Sequence, residues 1–316
     1  MRADAAIADG QAAREGGGMS DIKLFTLTGQ SVTEITGAAM ALEKPLQTLF
    51  EGNLDALIGV RFLASEYSIK DGRIDTLGLD ENNCPVIIEY KRHSNENIIV
   101  QGLYYLDLLM ENQSDFKLLV MEKIGKAAAD AIDWSAPRLV CVAGDFKRYD
   151  THAVKRMNGN IELIRYRKFG DNLLMLDLLT ATTSTTPAAP SNGGTRNTQK
   201  DHEDIISAAS GAQKARYEAL VDYLHSLGDD VQERHLKRYV AFKRIKNFAC
   251  VELRNQKSHI MVFVQADLNQ IELMDGFSRD VSEIGHYGTG NIEITIASDA
   301  DLERAKSLIQ QSYEVS

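Results

Sequence analysis

Only three cysteines occur in 316 residues, and Cys84, Cys141 and Cys250 lie far apart, each beside a strand-like run. Neither a disulfide framework nor a zinc site can be built from that spacing, and a reducing cytoplasm is the compartment it fits. No run of 18 apolar residues occurs, which excludes an ordinary membrane-spanning helix and argues for no membrane partner. The opening "MRADAAIADGQAAREGGG" lacks the apolar centre of a secretion signal, and a second methionine, Met19, begins the first patterned segment. Residues 1–18 therefore read as a disordered extension. Positive charge is also short: 35 Lys and Arg stand against 45 Asp and Glu, a formal charge of -10. A surface that grips polyanions everywhere is excluded, so any nucleic-acid contact must rest on local patches. Residues 147–168 and 234–246 are two such patches, although solvated faces of ordinary elements have the same composition. No internal repeat is visible.

What is present divides the chain. The stretch "TATTSTTPAAPSNGGTRNTQK" from residue 180 has no large apolar side chains and cannot support a core, so 181–200 reads as a flexible linker between domains at 19–180 and 201–316. In the first, Leu42, Leu46, Leu49, Phe50, Leu54, Leu57 and Ile58 recur at helical spacing up to Gly59. Strand-like runs follow at 61–68, 72–79 and 84–91, with "DENN" as a turn, and a helix is expected over 95–111. Further strands are expected at 116–121, 138–143 and 161–167, with helices near 124–132 and 146–157. The order implies an α/β domain, a mixed sheet flanked by helices. The second domain reads as a smaller α+β unit: helices at 203–227 and near 231–237, strands at 247–254, 258–265 and 291–296, and a closing helix at 299–312.

The chemistry concentrates in "GRIDTLGLDENNCPVIIEYKR", residues 72–92. Residues two apart on a strand share a face, so Glu89 and Lys91 project together while Val86, Ile88 and Tyr90 point the other way. A hairpin turning near 80–83 brings Asp75 within reach of the same face. Two carboxylates on neighbouring strands suit Mg²⁺ or Mn²⁺, which takes one or two protein carboxylates together with substrate phosphate oxygens. Lys91 is placed to orient a water or to offset charge on a phosphorane-like transition state. A Glu-x-Lys pair on a strand is also commonly no more than a solvated ion pair. Parity sets a condition on the first reading: Asp75 alternates in step with Leu77 and Leu79, so a bend or bulge must turn it out of the core.

Asp75, followed by Glu89-x-Lys91 at the end of the apolar strand "PVIIEYK", resembles the signature of the PD-(D/E)XK restriction-endonuclease-like superfamily, in particular its endonuclease NucS-like branch. The likeness covers about residues 40–125, and the proline that often precedes the first acid is replaced by Ile74. It implies a restriction-endonuclease-like mixed sheet flanked by helices and a metal-dependent endonuclease that hydrolyses DNA, in repair or anti-phage defence. It further implies Asp75 and Glu89 as metal ligands with Lys91 beside the attacking water. The family often draws another acid from the preceding helix, where "LFEGNLDALIG" offers Glu51 as a further metal ligand. Related members carry Gln-x-x-x-Tyr on the next helix, matched by Gln101 and Tyr105. Gln101 would contact the substrate backbone or the metal-bound water. Read from its place alone, Arg92 just past the strand is a phosphate contact or, more commonly, a solvated surface cation. DNA is the expected partner. A homodimer or a defence-system partner is left open, as is a non-catalytic binding module on the same fold.

In the second domain, "KRYVAFKRIKNFACVEL" and "DVSEIGHYGTGNIEITI" resemble a small uncharacterised domain found at the C-terminus of such nucleases and sometimes labelled a predicted transport protein. A chain without a membrane span gives no basis for transport. Arg238, Lys243 and Arg244, interleaved with Tyr239 and Phe242, suit phosphate contact and base stacking, or else an amphipathic element with a buried aromatic face. Gly285, Gly288 and Gly290 around His286 and Tyr287 suggest a loop that approaches a ligand, or a long hairpin turn.

Overall fold

The computed structural model describes residues 22–40, 42–91, 98–182, 204–236, 238–286 and 288–316. The expected extension 1–18 and linker 181–200 fall outside these, apart from Ala181 and Thr182. A two-stranded hairpin, β1 (Leu24–Thr28) and β2 (Ser31–Ile35), opens the described chain and stands apart from both main sheets. The main sheet of the first unit contains β3 (Gly37–Ala38), β4 (Val60–Ile69), β5 (Gly72–Asp80), β6 (Pro85–Lys91), β7 (Arg138–Ala143), β8 (Asn160–Phe169) and β9 (Leu173–Ala181). Its order is β3-β8-β7-β6-β5-β4, with β9 also paired to β8. The β6-β7-β8 pairs are parallel and the others antiparallel, so the sheet is mixed as expected.

Alternation along β6 builds two cores. Val86, Ile88 and Tyr90 face α1 (Glu43–Glu51) and α2 (Leu54–Ile58), packing on Leu46, Phe50, Leu54 and Ile58. Ile87 faces the other way, toward α3 (Ile98–Glu111), α4 (Gln113–Lys123), α5 (Lys126–Asp130) and α6 (Arg148–Val154). The α4 segment corrects the expected strand at 116–121. Its buried residues Phe116 and Val120 stand four apart with Leu118 and Met121 exposed, which is helical spacing.

The second unit is a six-stranded antiparallel sheet in the order β10-β11-β12-β13-β15-β14. The strands are β10 (Gln232–His235), β11 (Val240–Lys243), β12 (Asn247–Arg254), β13 (His259–Val264), β14 (Ser278–Asp280) and β15 (Ile292–Ile296); α7 (Gly211–Ser226) and α8 (Asp299–Glu314) cover one face. A strand replaces the helix expected near 231–237, and the burial of Arg234 and Leu236 on either side of half-buried His235 shows why: the period there is two. Among the described residues all three cysteines are free and buried, and no helix is long and apolar enough to cross a membrane.

The uncovered face of this second sheet packs on the first unit. Leu236, Tyr239, Ala241, Cys250 and Phe263 bury Cys84 and Ala136. Beside them lies an ionic cluster that water does not reach. Arg138 donates to Glu162 through Nε (3.0 Å) and Nη2 (2.6 Å) and to Asp80 through Nη1 (3.1 Å). From the second unit Lys243 donates to Glu162 (2.9 Å), and Arg234 stands 3.4 Å from Asp80 and 3.5 Å from Glu162. Each of these five side chains is 5% exposed or less. Asp80 also accepts the Asn82 and Cys84 amides, so it is both the turn residue expected and an interface ligand. The second unit thus grips the turn joining β5 and β6, and the other ends of these strands carry the candidate site.

Candidate active site at the open end of the β5–β6 hairpin

The ladder between β5 and β6 runs from Leu79–Pro85 to Thr76–Ile88. Beyond that pair, carboxylates take over from main-chain acceptors. The Tyr90 amide donates to Asp75 Oδ2 (3.0 Å), and the Asp75 amide donates to Glu89 Oε1 (3.3 Å). The two strands therefore part where the two acids sit, leaving room for something between them.

The parity condition is met in the same place. Ile74 and Leu77, three residues apart, both enter the core on the α3 side, so strict alternation fails between them. The partner strand supplies the reason: the β4–β5 register slips between Phe62 and Ala64, and Glu66 has a left-handed backbone (φ 50°). Asp75 is carried out of the core to half-exposure, while Leu77 and Leu79 stay fully buried.

A cavity of about 350 Å³ opens here, lined among others by Asp75, Lys91, Gln101 and Tyr105. Lys91 Nζ lies 3.6 Å from Glu43 at the start of α1. Gln101 on α3 donates to the Tyr105 hydroxyl (2.9 Å). Tyr105 is packed in the core against Gly72, where a β-carbon would collide with its ring. Glu89, next to the cavity-lining Tyr90 on β6, is fully buried and does not itself line the cavity; its Oε2 has no hydrogen-bond partner among the described residues. Burial raises the Asp75 carboxyl above its ordinary range, against the Tyr90 amide and Lys91, and Glu66 and Glu43 push it the same way. Glu89 is pushed up to about 8, first by burial and next by Asp75.

A buried carboxylate without its partner should destabilise the fold. Glu89 is neutral when folded until about pH 8, whereas in the unfolded chain it ionises near its ordinary value of 4.5. The folded pKa is the higher, so stability is lost progressively as pH rises between those two values. Glu89→Gln removes this term and is expected to stabilise the apo protein by on the order of 2 kcal/mol at pH 8 and by much less at pH 5. Denaturant midpoints at the two pH values check it; equal midpoints at pH 8 would remove the buried charge from the account.

The other expected site residues fare differently. Glu51, one hydrogen bond behind the cavity-lining Gln47, accepts through Oε1 from the Thr76 hydroxyl (2.7 Å) and the Gln47 amide (2.9 Å), contacts that brace α1 against β5. Gln47, unforeseen, is the hub of that brace, since its amide nitrogen also reaches the Asp75 carbonyl (2.7 Å). The signal was available, for Gln47 and Glu51 share a face of α1 at a spacing of four. Arg92 lies outside the described residues. Among the described residues no three His, Cys, Asp or Glu side chains converge as a metal cage.

The basic stretch of the second unit is corrected in part. Lys243 cannot meet nucleic acid, because it is buried on Glu162. Arg244 donates to Asp230 (2.8 Å) and lies over the Tyr313 ring, while Arg238 is exposed. Tyr239 and Phe242 are both buried, the aromatic face of an amphipathic strand. In the glycine loop His286 stacks on Phe263 (4.5 Å, 3°), and Tyr287 is outside the described residues. Gly288 (φ 82°) and Gly290 (φ 133°) do approach something closely, but it is their own sheet: added β-carbons would meet Cys250 and Val264. The loop borders a cavity of about 610 Å³ between the units, opposite Arg61 and Glu81.

Two acids and a lysine at the split end of a hairpin, on a mixed sheet with helices on both faces, define a restriction-endonuclease-like domain. Residues 43–140 match the endonuclease NucS C-terminal domain, and residues 202–316 match a domain of unknown function, DUF5655. The chain's first unit, over residues 43–140, is of the NucS-like branch of the restriction-endonuclease-like proteins. The chain is also of one family with an uncharacterized protein of Haemophilus influenzae, 30% identical over 307 residues that cover 93% of this chain and 100% of that one. A solved structure of an EndoMS–dsDNA complex is similar at 18% identity with a TM-score of 0.25; the match covers 40% of this chain and 46% of that one.

Proposed function

We propose that this protein is a metal-dependent endonuclease that hydrolyses DNA phosphodiester bonds at the Asp75–Glu89–Lys91 cavity. One observation carries the reading: the buried Glu89 Oε2 has no partner among the described residues and sits beside a second carboxylate whose charge it already feels. Two hard oxygen donors at a place where the strands part fit Mg²⁺ or Mn²⁺, and Asp75 and Glu89 would hold it. A third acid is not needed for such an ion, which retains waters and phosphate oxygens. Bound there, the ion would polarise a phosphoryl oxygen and lower the pKa of a water.

The remaining work falls to this chain's side chains. Lys91 reaches into the cavity from the same strand face as Glu89 and would hold the attacking water while offsetting charge at phosphorus. Gln101, oriented by Tyr105, would fix the substrate backbone. Attack by water forms the new P–O bond, and the bond to the leaving sugar oxygen breaks; no covalent intermediate with the protein is required. The Gln47–Glu51–Thr76 brace keeps β5 and α1 in register around Asp75.

Incubation of the purified protein with single-stranded, duplex and branched DNA tests the reading. Cutting that requires Mn²⁺ or Mg²⁺ and stops with a chelator is expected. DNA binding without turnover on any of these substrates would return the alternative, a non-catalytic module.

A further inference from the structure

Three cavity residues absent from the scheme above hold one another. Lys44 on α1 and Arg73 on β5 both turn to Glu66 on β4, with Lys44 Nζ 3.2 Å from Oε1 and Arg73 Nε 2.6 Å from Oε2. All three line the same cavity as Asp75 and Lys91. The two cations are well exposed, at 61% and 65%, and Glu66 less so at 30%, so the cations reach inward to the acid.

The backbone shows that Glu66 is placed there at a cost. A non-glycine residue at φ 50° in mid-strand is strained, and such strain persists where the surroundings hold it. The register pairs Ser65 with Thr76 and Tyr67 with Ile74, which sets Glu66 opposite Asp75. An acid in that position lines the wall of the cavity that a phosphodiester anion would have to enter. It also occupies a guanidinium and an ammonium, the two groups best suited to a phosphate. Solvent-exposed ion pairs of this kind are weak and exchange readily.

We propose that Lys44 and Arg73 form a phosphate clamp for the DNA strand entering the cavity, with Glu66 as a built-in placeholder that a backbone phosphate displaces. The clamp takes its substrate class from the nuclease reading. A carboxylate and a phosphodiester each carry one negative charge, so they compete for the same two cations. Neutralising the placeholder should therefore strengthen DNA binding, and removing the cations should weaken it.

The test is a cycle of duplex affinities measured by fluorescence anisotropy without divalent ions. Glu66→Gln is expected to bind roughly fivefold tighter than wild type. Lys44→Met and Arg73→Met are each expected to bind more weakly and to lower the slope of log affinity against log salt by about one. The decisive comparison is Glu66→Gln in the Lys44→Met, Arg73→Met background. A placeholder gives no gain there, because nothing remains for it to occupy. An equal gain in both backgrounds, or no gain in either, overturns the clamp. Melting curves confirm that these surface variants fold. Cutting assays judge the nuclease reading separately: a wild type that cuts without this coupling sinks the clamp alone, and coupling without cutting keeps the clamp and sinks the nuclease.

Discussion

Lys91→Ala and Glu89→Gln are each expected to slow DNA cleavage by about 10²- to 10⁴-fold while leaving duplex affinity within a few fold. The two losses have different causes. Lys91 is a cation at the cavity wall that pairs with Glu43 at 3.6 Å, a long pair that leaves it able to turn to substrate. Removing it takes charge from the transition state. Glu89 is buried, so its substitution changes no surface that DNA could touch. Glutamine keeps the carbonyl that accepts the Asp75 amide but replaces the ionisable oxygen that lacks a partner with an amide nitrogen. Glu89→Gln should consequently be both nearly inactive and more stable than wild type, a combination that a purely structural glutamate would not give. Single-turnover rates beside denaturant midpoints read both quantities; a variant that cuts as fast as wild type removes Glu89 from the chemistry.

The second large effect is structural. Glu162→Gln is expected to lower stability by roughly 3–5 kcal/mol, because it leaves Arg138, Arg234 and Lys243 buried with Asp80 and without their principal counter-charge. The sign with pH follows from the direction of the shift. Arg138, Lys243 and Arg234 outweigh burial and hold the Glu162 carboxyl well below the carboxylate range when folded. Its contribution is therefore complete above the unfolded value near 4.5 and is lost as pH falls below it. The gap between wild type and Glu162→Gln should be widest near neutrality and narrow in acid. Urea titrations at pH 7 and pH 3.5 measure it, and a gap that does not change with pH would show that the glutamine loses packing and not charge.

The proposed trio of Asp75, Glu89 and Lys91 could be read in the sequence because it depends on short-range order: one hairpin, one turn, and two residues on one strand face. Whether Asp75 could join it could not be read, since the answer lay in a slip at Phe62–Ala64 and a left-handed Glu66 on the neighbouring strand. Nothing in the composition of "RFLASEYS" announces either. The basic stretch misled for a related reason. Lys243 and Arg234 look like any solvated cations until Glu162 and Asp80, distant in sequence, are folded against them. The helix assigned near 231–237 failed with them, because a strand gripping a neighbouring domain carries charge where a core strand carries valine. The α4 segment was misread from its apolar run "LLVM", whose buried residues prove to be four apart.

A Mn²⁺ soak of the crystallised protein with anomalous diffraction tests the proposed metal site most directly. One ion is expected in contact with carboxylate oxygens of both Asp75 and Glu89, absent in Glu89→Gln. An empty hairpin end at saturating Mn²⁺, or an ion bound without either acid, would contradict it.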